Sequence, residues 1–256
     1  MNDPCIQTLH YSVGHAEDVD YDKAHPLIHN TPNFTVRIED GRCEVTMKTH
    51  CATVAAAQAE VEPFLRAWEL TAALQFRPGD FELAYERATI IDRNPTPAAD
   101  INAVAVMKIA NVSLSATLSA HVGRSKYPDP PPPGLARDAA VELMFERFRR
   151  YRARGTTLAD MANFCLTTLE LTAEGRNGAA QRFMIARTVL NKLGDLAASK
   201  GGSEARKAKG AKAEFTAAER EWLEEATKRL ILRAAEVVGN PSACLSQITM
   251  AHLPPL

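Results

Sequence analysis

The chain lacks most of the patterns that announce a common chemistry. Its five cysteines (Cys5, Cys43, Cys51, Cys165 and Cys244) are odd in number, scattered, and never spaced as C-x-x-C. That argues against a disulfide framework and a zinc knuckle, and predicts reduced thiols in a cytoplasmic protein. No apolar run is long enough to span a bilayer, so a membrane is not an expected partner. The opening Met1-Asn-Asp-Pro-Cys-Ile-Gln has no basic stretch followed by an apolar one, so a secretory leader is not expected. There is no G-x-S-x-G elbow and no H-E-x-x-H motif. Gly194-Asp-Leu-Ala-Ala-Ser-Lys-Gly201 comes near a phosphate-binding loop. However, Ser199 stands where the second glycine belongs, Gly201 stands where a magnesium-holding hydroxyl belongs, and a helical pattern precedes it. No cofactor is expected. Aromatic interleaving suited to base stacking is thin in the basic stretch 200–212, where Phe215 stands alone at its end.

What the chain does have is division. Tyr127-Pro-Asp-Pro-Pro-Pro-Pro-Gly134 contains five prolines in eight residues. Each fixes φ and removes a backbone donor, so the run is a stiff extended connector. Strand patterns precede it and helix patterns follow it. Charge divides there as well. Residues 1–134 carry 11 Lys and Arg against 17 Asp and Glu, a net of −6, and residues 135–256 carry 19 against 14, a net of +5. The expected organisation is α+β: a mostly antiparallel sheet domain with one long helix over residues 1–126, a connector over 127–134, and a bundle of about four helices over 135–256.

In the first half, Ile6–Val13 alternates loosely and is expected to be an edge strand. Gly14–Pro32 reads as a long loop. Phe34–Glu39 and Arg42–Lys48 flank Asp40-Gly41, a strong hairpin signal because the turn demands positive φ. Thr53 is the expected N-cap of an amphipathic helix through Val54, Ala57, Val61, Leu65, Trp68 and Ala72, with a kink or restart at Pro63. Phe81, Leu83 and Tyr85 begin another strand. Val112, Leu114, Ala116, Leu118, Ala120 and Val122 alternate with small polar residues in the longest strand pattern of the chain.

In the second half, Val141, Met144, Phe145, Phe148 and Tyr151 form an apolar helical stripe. Thr157 and Asp160 mark the start of a second helix through Leu169. A third helical region, 179–199, is interrupted near Met184–Ala186. Residues 200–212 are basic and nearly devoid of apolar side chains, which predicts an exposed loop. Thr216 and Glu219 form a capping box for a last helix stopped by Gly239-Asn-Pro241.

The candidate binding residues are basic. Arg147, Arg150 and Arg154 lie on the first helix after the connector; Lys200, Arg206, Lys207 and Lys209 lie in the loop. Ala179–Leu193 resembles a helix-turn-helix. Ala179 and Ala180 would pack closely, Ile185 would fill the turn, and Val189, Leu190 and Leu193 would seat the second helix. The resemblance implies that Arg187, Thr188, Asn191 and Lys192 face a groove. Met184 departs from the pattern, since a glycine normally permits the turn there. The strand-then-bundle layout also resembles the HEPN class of helical domains, whose active members place an Arg four to six residues before a catalytic His. No histidine lies between His121 and His252, so the resemblance implies no such ribonuclease chemistry.

Six histidines fall within residues 1–121, among Glu17, Asp18, Asp20 and Asp22. His25 and His29 would share a face if helical, which makes them candidate metal ligands, but Pro26 opposes a helix there. Asp18-x-Asp20-x-Asp22 has the spacing of a calcium loop without its glycine or its final bidentate acid. The leading expectation is a non-catalytic binding or regulatory protein whose basic helical half meets a nucleic acid or an acidic protein. The alternatives are a metal-assisted hydrolase built on the N-terminal His and Asp residues, and a helix-turn-helix DNA-binding protein.

Overall fold

The computed structural model describes residues 3–95, 122–200 and 213–256, and the chain divides into two compact units. One comprises 1–62 and 79–129; the other comprises 63–78 and 130–256. The long alternation at 112–122 lies, but for its last residue, outside the described residues, as do Arg206, Lys207 and Lys209.

The first unit is built on a five-stranded antiparallel sheet in the order β3-β4-β5-β1-β6. Its strands are β1 (Pro4–Gly14), β3 (Leu27–Asn30), β4 (Phe34–Glu39), β5 (Arg42–Met47) and β6 (Glu82–Asp92). The Asp40-Gly41 turn forms as expected, with φ of 49° and 70° respectively, so both central residues are left-handed. That geometry matches the twist of the flanking strands and fixes the register Ile38↔Cys43 and Glu39↔Arg42.

Two expectations need correction. β1 is not an edge strand; it pairs with β5 on one side and with β6 along ten residue pairs on the other. Alternation shows which face of a strand is buried but not how many neighbours it has. The stretch 14–32 is not one long loop either. It contains β3 and a two-residue strand, β2 (Val19–Asp20), which pairs in parallel with β7 (Val122–Gly123).

Alternation sorts the sheet into two faces. Leu9, Tyr11, Val36, Ile38, Cys43 and Val45 are buried on one face; Thr8, His10, Arg37, Glu44 and Thr46 lie on the other. Tyr11, on the apolar face, donates its hydroxyl to Glu62 of α1 (Val54–Gln75) at 3.2 Å. Thr53 caps α1 by accepting from the Ala56 amide. The helix runs through Pro63 without a restart. The other end of this unit is tied by Tyr127, which stacks on Tyr21 at 5.0 Å and accepts at its hydroxyl from the Gly41 amide.

The second unit is helical: α2 (Ala139–Arg152), α3 (Leu158–Thr172), α4 (Arg176–Arg182), α5 (Arg187–Ser199) and α6 (Ala217–Gly239), together with the later turns of α1. α3 is the hub, in contact with α2, α4, α5 and α6. The start signals act as read. Asp138 accepts from the Val141 amide, Thr157 accepts from the Asp160 amide, and Thr216 and Glu219 complete a reciprocal capping box. Among the described residues, no helix is long and apolar enough to cross a membrane.

Candidate functional site

The helix-turn-helix stretch folds as two short helices at an abrupt turn. α4 ends at Arg182, and α5 begins at Arg187. Met184, where a glycine is usual, adopts φ 47°. The left-handed residue the turn requires is therefore present without the glycine that normally supplies it. Ala179, Ile185, Val189, Leu190 and Leu193 are buried, each where the resemblance placed it in the core. The opposite face of α5 carries Arg187, Thr188, Asn191, Lys192 and Asp195, spaced alternately one and three residues apart along one side of a helix.

This turn is held from outside. Arg233 of α6 is 7% exposed and donates through Nη1 to the carbonyls of Phe183 (3.0 Å) and Met184 (3.1 Å). Those carbonyls stand at the end of α4, where helical acceptors lack partners, so the guanidinium acts as a C-terminal cap. Ile248 then bridges to Ile185. Its amide donates to Met184 at 2.9 Å, and its carbonyl accepts from Ala186 at 2.7 Å. Sequence reasoning missed both anchors. Arg233 sits in a helix among apolar residues, and Ile248 is a single apolar residue without periodicity.

The described candidate basic residues meet different local surroundings. Arg147 lies over the Phe164 ring at 4.6 Å, and Arg150 pairs with Glu146 at 3.1 Å along α2. Arg154 follows α2 in left-handed backbone, φ 60°. Lys200 pairs with Glu219 at 3.2 Å. Asn191 accepts from Arg176 at 3.3 Å, so its carbonyl oxygen already has a partner. Arg187 is exposed and Lys192 half-buried; among the described residues neither forms an ion pair. The sequence adds a sharper point about charge. Residues 200–212 hold five Lys and Arg against one Glu, so +4 of the helical half's net +5 belongs to that stretch.

Near the end of α2, Glu224 joins Tyr151, Arg152 and Lys228. Burial pushes the Glu224 carboxyl up, but the Tyr151 hydroxyl, Lys228 and Arg152 more than offset this and hold it below its usual value. Burial and that carboxylate push the Tyr151 phenol to about 12. This is a charge network that ties α2 to α6.

In the sheet unit, His25 bridges to Lys126 on extended backbone, and His29 lies in β3. The helical adjacency that Pro26 opposes does not form; an extended chain separates residues four apart by roughly 13 Å. Among the described residues, no group of three His, Cys, Asp or Glu side chains could hold a metal. A different histidine has closer partners. His10 Nε2 lies 2.9 Å from Thr89 Oγ1, and Nδ1 lies 3.4 Å from Glu44. Burial, followed by the Arg87 guanidinium, lowers the His10 pKa, with Glu44 and Glu86 opposing. The three residues come from neighbouring strands and face the polar side of the sheet, the arrangement of a cross-strand network that fixes register.

A comparison of the chain with protein-family models, curated proteins and solved structures finds no match to any of them.

Proposed function

We propose that this protein is a non-catalytic binding module whose helical unit engages nucleic acid through the outer face of α5. The observation that carries this reading is the α4–α5 turn, with left-handed Met184, buried Ile185, and Arg187, Thr188 and Lys192 turned away from the core. A helix held this way at its N-terminal end presents its first residues to a groove. The basic stretch 200–212 follows α5 directly and supplies the sequence-independent attraction to phosphates, while the helix supplies register.

Fluorescence anisotropy with a labelled DNA duplex and a labelled RNA hairpin tests this at two salt concentrations. Binding is expected to weaken about tenfold or more between low and moderate salt. Replacing Arg187 and Lys192 by Ala together should cost about another tenfold, while Arg150→Ala should change little, because Arg150 is already paired with Glu146. If neither nucleic acid binds at low salt, the reading is wrong, and an acidic protein partner becomes the better one.

A further inference from the structure

Nothing in the sequence marks the segment after α6, yet it forms one wall of a pocket. Residues 245–253 return along α6, and between them lies a cavity of about 160 Å³. Its polar lining is Arg229, Arg233, Glu236, Ser246, Gln247 and His252. We propose that this pocket binds a small oxyanion, the carboxylate or phosphate group of a small molecule.

The proposal rests on a count of donors and acceptors. Arg229 commits only Nε, to Glu225 at 2.8 Å, and no other bond of its guanidinium exists among the described residues. Arg233 commits Nε to Glu236 (2.7 Å) and Nη1 to the two carbonyls at the end of α4, which leaves Nη2. His252 accepts at Nδ1 from the Thr249 amide at 3.0 Å, so its ring proton sits on Nε2 and can donate. Ser246 and Gln247 add a hydroxyl and an amide. The carboxylate of Glu236 opposes these donors, but Arg233 already occupies it. A lining with surplus donors and planar guanidinium forks suits an oxyanion, whose lone pairs accept bidentately. An amine would meet two cations.

The position of Arg233 gives the site a consequence. One of its faces lines the pocket, and its Nη1 group holds the turn before α5. An oxyanion on Arg229 and Arg233 therefore also steadies the turn and the Ile248 bridge. This holds whether or not α5 meets nucleic acid.

Thermal melts of the full chain with inorganic phosphate and, separately, succinate test the proposal, each against chloride at matched ionic strength. Hydrogen exchange at the Ala186 and Ile248 amides is followed in the same solutions. The expected result is a saturable rise in Tm with at least one of the two, accompanied by slower exchange at both amides. Response to phosphate alone identifies a phosphate ligand; response to succinate alone identifies a carboxylate. Arg229→Gln should weaken the response about tenfold or more, and Arg147→Gln, at a residue that lies over the Phe164 ring and does not line the pocket, should leave it unchanged. If Arg229→Gln does not melt cooperatively, His252→Ala carries the same expectation. No saturable shift with either anion, or one undiminished in the foldable pocket variant, overturns the proposal.

Discussion

Met184 concentrates a conflict between local preference and the requirements of the turn. A left-handed backbone costs an L-residue roughly 1–2 kcal/mol, and Met184 adopts it with φ 47°. The carbonyl of the same residue accepts from both Arg233 and Ile248, so the surrounding bonds impose the conformation. Met184 is 39% exposed, so truncation loses little burial. Met184→Gly is therefore expected to stabilise the protein by about 0.5 kcal/mol, the relieved strain less the extra chain entropy of glycine. Urea unfolding measures it, and a lower midpoint for the glycine variant would show that the methionine side chain, not the backbone, matters here. The departure visible in the sequence at this position is thus a substitution within the turn geometry and not evidence against it.

At the scale of elements, local signals were legible and pairing partners were not. Asp40-Gly41, Thr157 with Asp160, and Thr216 with Glu219 specify their own backbone bonds within four residues, and each forms as read. The place of β1 inside the sheet and the brief β2–β7 pairing depend on residues dozens of positions away, which periodicity does not encode. The candidate site divides the same way. The two helices and their turn were readable, while the partners of Arg147, Arg150 and Lys200 were not, because a cation stripe looks alike whether it faces solvent, a ring or a carboxylate. The end of α6 shows a long-range demand with a single-residue consequence. A Cβ at Gly239 would lie 2.1 Å from the Gly134 carbonyl oxygen and 2.8 Å from the Ala136 nitrogen, both backbone atoms that cannot rotate aside. Ala136 also donates to Ala235, which anchors the exit of the proline run to the last turns of α6. Gly239→Ala should therefore cost about 3 kcal/mol, whereas Asn240→Ala, next door and exposed, should cost far less. A Gly239→Ala variant that unfolds at the same urea concentration as the parent would mean that the connector shifts freely.

At the scale of the whole molecule, the proline run is one of the places where the chain passes between units; Pro63 and Pro78 bound the others. The first turns of α1 belong with the sheet and the later turns with the helices. Leu70, Ala73 and Leu74 sit in the same apolar cluster as Phe145, Phe148 and Leu230. Arg137, just before α2, donates to the Arg66 carbonyl at 3.0 Å, which fastens that segment to the main part of the helical unit. A helical pattern shows which face is apolar, but it does not show that one helix serves two cores, so the sequence points to a division only at 127–134. The consequence is testable. A fragment of residues 130–256 lacks the side chains of α1 that complete its own core. Burying Leu70 and Leu74 contributes about 2 kcal/mol each, a large share of the stability of an ordinary domain. The fragment alone should melt broadly and bind an apolar dye. Adding a peptide of residues 63–78 should sharpen the melt and displace the dye. If the fragment alone melts as a cooperative unit and leaves the dye unbound, the later turns of α1 are dispensable to the helical core.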